Sequence, residues 1–128
     1  MITIYHNPRC SKSRETLALV QAHADETQIP LQVIDYQKTP LSFKELQGLL
    51  AALGNADAGG EINDDIQTML RNNEAEYASL NLAGADAATG LTAIAAHPHL
   101  LQRPIVTYQN KAAIGRPPEH VLTLFKKA

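Results

Sequence analysis

The spacing of hydrophobic residues in the first part of the chain alternates between the periods of strands and helices. Two runs rich in β-branched residues, Ile2–Tyr5 and Leu31–Tyr36, have the composition of strands. Between them, Ser11–Ala24 carries apolar residues at helical spacing, and the polar stretch Asp25–Pro30 follows it. Strand, helix and strand in this order predict a βαβ unit, in which the two strands pair in parallel.

The next segment, Leu41–Leu53, carries strong signals for the start and end of a helix. Ser42 is the predicted N-cap and Glu45, three residues later, is its capping-box partner. Leu41 is placed to pack against the first turns, and Gly54 is the predicted end. The leucines that form the predicted buried face are Leu46, Leu49, Leu50 and Leu53.

Helical patterns also dominate the stretch that follows. A loop rich in Ala, Asp and Gly is predicted at Asn55–Gly60, and we expect it to be the most flexible part of the molecule. A short helix leading to Arg71 is predicted from the spacing of Ile62, Ile66, Met69 and Leu70. Two further helical segments, Glu74–Leu80 and Asp86–Ala96, come next, and His97–Pro98 ends the second.

The C-terminal part returns to strands. Ile105–Tyr108 and Ala112–Ile114, joined by a turn at Gln109–Lys111, predict a β-hairpin. Pro118–Lys127 is predicted as a last helix. Its predicted inward residues are Val121, Leu122 and Phe125, and its basic end is Lys126–Lys127. The order βαβ, several helices and ββα predicts a single α/β domain over residues 1–128, with a four-stranded mixed sheet and a helical insert at about residues 41–98.

Composition limits the class of protein. A hydrophobic content of 45% in 128 residues is enough for a core without metal or disulfide staples. The single cysteine excludes an internal disulfide, and we find no signal-peptide core and no apolar run that could span a bilayer. We therefore expect a soluble cytoplasmic protein. The histidines and the cysteine have no metal-ligand spacing, so no metal site is expected.

Charge is distributed unevenly along the chain. The formal net charge of −2 disfavours a nucleic-acid-binding protein. Counted as Lys and Arg against Asp and Glu, residues 1–24 carry +2, residues 25–100 carry −8 and residues 101–128 carry +4. If the two ends meet in the fold, the only thiol lies in a positively charged pocket on an acidic body.

That thiol belongs to Cys10, which lies where the turn formers Asn7 and Pro8 give way to the first helix. Unpaired N–H groups and the helix dipole favour a thiolate there, and they would also bind an oxyanion. The nearest ionisable side chains are His6, Arg9, Lys12 and Arg14. His6 is close enough in sequence to hydrogen-bond the sulfur. These features predict a reactive nucleophile; the alternative is a small buried apolar residue, which lone cysteines usually are.

The run His6–Arg14, HNPRCSKSR, resembles the H-N-P-x-C-x-x-S-R signature of the glutaredoxin-linked arsenate reductase family. Three later segments resemble motifs of that family in the same order: MLRNN at Met69–Asn73, RPIV at Arg103–Val106 and GRP at Gly115–Pro117. The resemblance extends over nearly the whole chain. It implies a thioredoxin-like fold with a helical insert, which agrees with the predicted order of elements.

The resemblance also implies the chemistry. Cys10 corresponds to the nucleophile that reduces arsenate to arsenite, and Arg71, Arg103 and Arg116 to residues that surround the oxyanion. A planar guanidinium suits this role, because its donors match the oxygens of a tetrahedral anion. Glutathione is the implied co-substrate and a glutaredoxin the implied partner, with no bound cofactor. No nucleic-acid or membrane partner is expected.

Four further residues match positions around the active-site loop of the family. His6 corresponds to a histidine implicated in lowering the pKa of the thiol, and Ser13 and Arg14 correspond to supporting positions. Pro104 corresponds to the proline that thioredoxin-like folds keep in the cis form beside this loop. A cis X–Pro bond is uncommon, at about 5% in folded proteins.

Two other functions remain open at this level. Related thioredoxin-like proteins bind RNA polymerase as redox-sensing regulators and generally use a Cys-x-x-Cys pair, but here Ser13 occupies the second cysteine position. The protein could also be a glutathione-linked reductase of another oxyanion or of a glutathione mixed disulfide. The sequence does not separate that function from arsenate reduction.

Overall fold

A four-stranded sheet organises the molecule. The computed structural model describes residues 1–54 and 66–125. The strands are β1 (Ile2–His6), β2 (Leu31–Asp35), β3 (Ile105–Tyr108) and β4 (Lys111–Ile114), in the order β2-β1-β3-β4. β1 pairs in parallel with β2 and antiparallel with β3, and β3 pairs antiparallel with β4. The predicted α/β architecture with a mixed sheet is therefore confirmed, and the two ends of the chain meet in its centre.

The hairpin turn between β3 and β4 is tighter than the sequence predicted. Lys111, predicted to lie in the turn, pairs with Tyr108 in the sheet, so only Gln109 and Asn110 connect the strands. These two residues have positive φ angles of 52° and 65°. Two-residue hairpin turns require this backbone conformation, but their strongest sequence signal, Asn-Gly, is missing here.

Helix α1 (Ser11–Thr27) connects the parallel strands and is longer than predicted. The predicted end of the helix at Ala24 is three residues too early, because polar side chains on an exposed face do not end a helix. The helix ends where Gln28 adopts a left-handed conformation with φ 62° and ψ 26°. Pro30 follows two residues later, and β2 begins after it.

Helix α2 (Phe43–Gly54) begins as the sequence predicted. The backbone N–H of Ser42 donates to Oε1 of Glu45 at 3.0 Å, and the N–H of Glu45 donates to Oγ of Ser42 at 3.1 Å. This is the predicted capping box. All four leucines of the predicted face are buried.

Shorter helices fill the rest of the stretch between β2 and β3 in the described residues. They are α3 (Ile66–Met69), α4 (Ala75–Ser79), α5 (Ala87–Ala96) and a 3₁₀ turn at Pro98–Leu100. Asp86 caps α5 by accepting a hydrogen bond from the N–H of Thr89 at 2.9 Å. The predicted flexible loop Asn55–Gly60 and the predicted helical residue Ile62 lie outside the described residues.

The last helical segment differs from the prediction in type and in its buried face. Pro118–Phe125 is a 3₁₀ helix, and its buried residues, Pro118, Val121 and Leu124, recur every three residues. That spacing matches the three residues per turn of a 3₁₀ helix, whereas the predicted inward positions Leu122 and Phe125 are only partly buried. The predicted basic end, Lys126–Lys127, lies outside the described residues.

Two hydrophobic clusters cover opposite faces of the sheet. Neighbours along a strand point to opposite faces, and accordingly Ile105 belongs to the cluster that contains α2 and α5 while Val106 belongs to the one that contains α1. The sheet is thus held between helical layers, and the carboxyl end of β1 opens onto a loop at its edge. Of the helices in the described part of the chain, none combines the length and hydrophobicity needed to cross a membrane.

Candidate active site

The turn between β1 and α1 presents Cys10 at the edge of the sheet. The N–H of Cys10 donates to the carbonyl of Asn7 at 3.0 Å, which closes the turn. The carbonyl of Cys10 accepts the N–H of Arg14 at 3.0 Å, so Cys10 is the N-cap of α1. The residue is partly buried and its sulfur is not sealed among aliphatic side chains. The predicted placement at a helix start is therefore confirmed.

The surroundings of the sulfur favour the thiolate. Burial raises the pKa of Cys10, but the N–H of Ser13, the guanidinium of Arg103 and the N–H of Lys12 together outweigh burial, and the pKa lies below its ordinary value. The side chain of Cys10 accepts no capping hydrogen bond of ordinary geometry from the N–H groups of α1. These N–H groups therefore act on the sulfur as oriented dipoles. A lowered thiol pKa is the condition for nucleophilic reactivity near neutral pH.

Two arginines from the C-terminal part of the chain reach this thiol. Nη2 of Arg116 donates to Sγ of Cys10 at 3.6 Å, across 106 positions of sequence. Nε of Arg116 donates to the carbonyl of Arg103 at 2.8 Å, which ties the two arginines together. Arg103 is the side chain that contributes most to lowering the pKa of Cys10. The structure thus assembles two of the three predicted arginines around the sulfur.

Both arginines precede a proline in the cis form. The Arg103–Pro104 bond is cis, as the resemblance implied, and the Arg116–Pro117 bond is also cis, which the sequence analysis did not anticipate. Pro104 begins the approach to β3, and its carbonyl accepts the N–H of Gly115 at 2.9 Å. These contacts hold the two arginine-bearing segments side by side next to the start of α1.

His6 does not contact the sulfur as the sequence suggested. Its Nδ1 lies 2.6 Å from Oγ of Ser13, and no hydrogen bond joins it to Cys10 within residues 1–54 and 66–125. Oγ of Ser13 also accepts the N–H of Asn7 at 3.0 Å. All three residues are buried. Nδ1 of the imidazole and the hydroxyl of Ser13 therefore form a hydrogen bond in either neutral tautomer, with the serine as donor or as a second-lone-pair acceptor.

The charge state of His6 agrees with this arrangement. Burial lowers the pKa of His6, the charge of Arg14 lowers it further, and the carboxylate of Asp35 opposes both effects without cancelling them. The imidazole is therefore neutral at pH 7. His6 consequently contacts Ser13 at the start of α1 as a neutral group and is not a cation beside the thiol.

The other cations of the signature segment point elsewhere. Nη1 of Arg14 donates to the carbonyl of Pro8 at 2.9 Å, so this side chain braces the turn from outside. Lys12 forms an exposed ion pair with Glu15 at 3.7 Å. Arg9 is exposed, and its backbone N–H donates to Oδ1 of Asn7 at 3.0 Å. Asn7, predicted only as a turn former, therefore also organises this loop through its side chain.

Arg71 is held by neighbours in its own segment. Its Nη1 lies 3.7 Å from a carboxylate oxygen of Glu74 and its Nη2 donates to Oδ1 of Asn73 at 3.4 Å. In the described residues, no ion pair or hydrogen bond connects its side chain to Cys10. Its backbone N–H donates to the carbonyl of Leu100 at 2.8 Å, so its segment runs beside the residues that precede Arg103.

Close to Arg71 lies an acidic cluster that the sequence spacing did not reveal. Potential ligand atoms of Glu74, Glu76 and His99 lie within 4.8 Å of one another. Nε2 of His99 is 2.8 Å from Oε1 of Glu76, while Glu74 faces Arg71. Each carboxylate of the cluster therefore already has a partner, Glu76 in His99 and Glu74 in Arg71, and we assign no metal to it.

Comparison with known proteins finds relatives that match nearly the whole chain. Residues 5–124 match the model of the ArsC family. Over 125 residues the chain is 42% identical to the arsenate reductase of Haemophilus influenzae, covering 96% of this chain and 97% of the relative. It is also 42% identical to the arsenate reductase of Neisseria meningitidis serogroup A, with 94% of each chain covered.

Solved structures agree with the sequence relatives. The arsenate reductase of Vibrio cholerae superposes with a TM-score of 0.78 at 41% identity, covering 96% of each chain. A Yersinia pestis protein superposes with a TM-score of 0.75 at 46% identity, covering 95% of this chain and 98% of its own. The thioredoxin-like fold that the sequence resemblance implied is therefore confirmed.

Proposed function

Because the chain belongs to the ArsC family of arsenate reductases, we propose that it reduces arsenate to arsenite with Cys10 as the nucleophile. The observation that carries the proposal is the thiol of Cys10 at the N-terminus of α1 with the guanidinium of Arg116 3.6 Å away. A nucleophile and cationic donors in one place suit attack on a tetrahedral oxyanion.

In the first step, the thiolate of Cys10 attacks the arsenic atom and one arsenate oxygen leaves as water. Arg103 and Arg116 bind the remaining oxygens through charge-assisted hydrogen bonds, and the N–H groups at the start of α1 add further positive potential. His6, Ser13 and Arg14 act as positioning residues, because each braces the loop without touching the reacting atoms.

The role of Arg71 in binding the oxyanion depends on its ion pair with Glu74. Its cation is balanced by Glu74 in this structure, so a direct role in anion binding would require the side chain to leave that carboxylate. We propose that Arg103 and Arg116 make the principal contacts with the substrate, and that Arg71 binds the oxyanion only once its side chain has left Glu74.

The second thiol must come from another molecule. Reduction of arsenate to arsenite transfers two electrons to arsenic and joins two thiols as a disulfide, and this chain has one cysteine. We propose that a glutathione thiolate attacks Sγ of Cys10 in the Cys10–arsenic adduct, so that the sulfur–arsenic bond breaks and its electron pair leaves with arsenic as arsenite. A glutaredoxin then reduces the resulting disulfide between Cys10 and glutathione. No bound cofactor is needed for these steps, and a cytoplasmic setting would supply both reductants.

The test is arsenite production by the purified protein with glutathione and a glutaredoxin. We expect Cys10→Ser to abolish turnover, because the hydroxyl is far less nucleophilic than the thiolate. Arg103→Ala should lower kcat/KM for arsenate by about 10- to 100-fold, the effect of losing a hydrogen bond to a charged group. Arg9→Ala, which removes an exposed arginine one residue from Cys10, is the matched control and should keep its turnover.

Two results would contradict the proposal. One is arsenate reduction by Cys10→Ser at the rate of the unmodified protein. The other is no arsenite at all while a glutathione mixed disulfide is reduced through Cys10, which would make the protein a thiol–disulfide reductase that shares the fold.

A further inference from the structure

A second polar side chain lies beside the thiol and has no part in the function proposed so far. Register in the sheet pairs His6 with Asp35, and both strands run in the same direction. The next residues, Asn7 and Tyr36, therefore leave the carboxyl edge of the sheet side by side. Tyr36 thus begins next to the turn that carries Cys10, at the edge where open α/β sheets bind ligands.

The ring of Tyr36 is fixed by the hydrophobic core. The side chain is 1% exposed and belongs to the cluster of α2 and α5. Leu41, Leu46, Ile94 and Leu101 line the small cavity beside it. Burial of this extent gives the phenol one rotamer and one direction, so its hydroxyl is a rigid, preorganised group.

The hydroxyl of Tyr36 lacks a hydrogen-bond partner among residues 1–54 and 66–125. Asn7 and Gln37 lie near enough to lower its pKa slightly, but neither makes a hydrogen bond of normal geometry with it. Nε of Arg103 is likewise buried without a partner in the described part of the chain. An unpaired buried donor costs about 1–3 kcal/mol, so two of them beside one thiol require an explanation.

We propose that the hydroxyl of Tyr36 and Nε of Arg103 are donors for the substrate, and that Tyr36 is a substrate-binding residue that positions an oxygen of a tetrahedral oxyanion at Cys10. The inference rests on the proposed function, because it names how the same site recognises its anion. An acceptor on the substrate would satisfy both groups at once. Because the hydroxyl is shielded from water, a neighbouring side chain must change its rotamer to admit the anion, which binding sites commonly allow, while the ring of Tyr36 stays fixed.

The protonation state of the phenol supports a donor role. Burial raises the pKa of Tyr36 to about 12; the charge of Arg103 lowers it and the charge of the Cys10 thiolate raises it. The hydroxyl thus keeps its proton at every pH at which a thiolate would react with arsenate. It can donate a hydrogen bond, and it cannot serve as a general base.

The experiment measures protection of Cys10 against iodoacetamide by arsenate and, separately, by phosphate. Tyr36→Phe removes only the hydroxyl. We expect it to raise the anion concentration that halves the alkylation rate by about tenfold, as the loss of a hydrogen bond to an anion predicts. The alkylation rate without anion and its pH profile should not change, because no hydrogen bond joins the phenol to Sγ in the described residues.

Tyr77→Phe is the matched control. The hydroxyl of Tyr77 donates to Oε1 of Gln67 at 2.8 Å, so this variant loses a satisfied hydrogen bond in the helical region. It should lower the melting temperature and leave anion protection unchanged. Tyr36→Phe should melt at or above the temperature of the unmodified protein, because it removes an unsatisfied group from the interior.

The outcomes separate this inference from the proposed function. Equal protection of Tyr36→Phe and the unmodified protein would overturn the inference while arsenate reduction stands. A melting temperature lowered as in Tyr77→Phe would also overturn it, since the hydroxyl would then be structural. Anion protection that depends on Tyr36 without any arsenite production would retain the inference and refute arsenate as the substrate. Absence of protection by either anion would overturn both.

Discussion

At the scale of single residues, the loop around Cys10 depends on a neutral histidine. His6, Ser13 and Asn7 form one buried set of hydrogen bonds in which the serine oxygen joins a side chain to the backbone. A protonated imidazole would be a buried charge, and it would also face the cation of Arg14. Protonation of His6 should therefore weaken the native loop.

This argument predicts a specific pH dependence of stability. The folded-state pKa of His6 lies below its ordinary value of 6.5, so the unfolded chain takes up the proton first as the pH falls. Stability should consequently decline from about pH 6.5 downward until the folded-state pKa is reached. His6→Asn keeps a polar atom at the position of Nδ1 but cannot be protonated, so its free energy of unfolding should fall less over this window, by the contribution of one proton.

Urea unfolding of both proteins between pH 7.5 and pH 5 measures the difference. If the free energy of unfolding changes with pH in the same way for the unmodified protein and His6→Asn, His6 has the same pKa in the folded and unfolded states. That result would contradict the neutral, buried imidazole on which the loop geometry depends.

At the scale of elements, the segment that follows β4 is closely packed against α1. A Cβ at Gly115 would collide with Oγ1 of Thr16 on α1 and would lie 2.8 Å from Cγ of Pro104. Thr16 and Gly115 are both buried. The glycine is therefore what lets the segment carrying Arg116 approach the helix that carries Cys10.

We expect Gly115→Ala to destabilise the fold by about 1–3 kcal/mol, the usual cost of overpacking. It should also slow alkylation of Cys10 at pH 7, because displacement of Arg116 weakens the charge that stabilises the thiolate. Gly48→Ala is the matched control: nothing lies within 4 Å of its added Cβ, and it sits within α2. That variant should gain about 0.5–1 kcal/mol from the helix preference of alanine. Equal unfolding curves for the two variants would contradict this account of the packing.

Local sequence is sufficient to predict some of these elements and not others. The start of α2 was predictable because its capping box is formed by residues three positions apart. The type of the last helix was not, because Val121 and Leu124 are compatible with either helical period until their packing partners are known. The two-residue hairpin turn was missed for a related reason: its positive φ angles are imposed by strand pairing at Tyr108 and Lys111.

At the scale of the whole molecule, the candidate site joins segments that are remote in sequence. The position of Cys10 follows from local signals alone, and the convergence of Arg103 and Arg116 was implied by family resemblance. Charge counts showed only that both ends are basic. The hydrogen bond between His6 and Ser13 depends on how the turn returns α1 to the end of β1, and the position of Tyr36 depends on the parallel register between β1 and β2, so neither could be predicted.

Because Cys10 and Arg116 come from opposite ends of the chain, anion binding between them reports on the stability of the whole fold. An oxyanion held between the start of α1 and Arg116 connects the first helix to the last hairpin, and it binds only when both are folded. Arsenate without reductant, at 100 times its Kd, should therefore stabilise the protein by about 2.7 kcal/mol and raise its melting temperature. Arg116→Ala should lose most of this shift because it removes the link from the hairpin side. Arg9→Ala should keep it, although the lost charge is equally close to Cys10 in the chain. Equal shifts in the two variants would show that the anion is attracted by net charge near the helix start and is not held between the two ends of the chain.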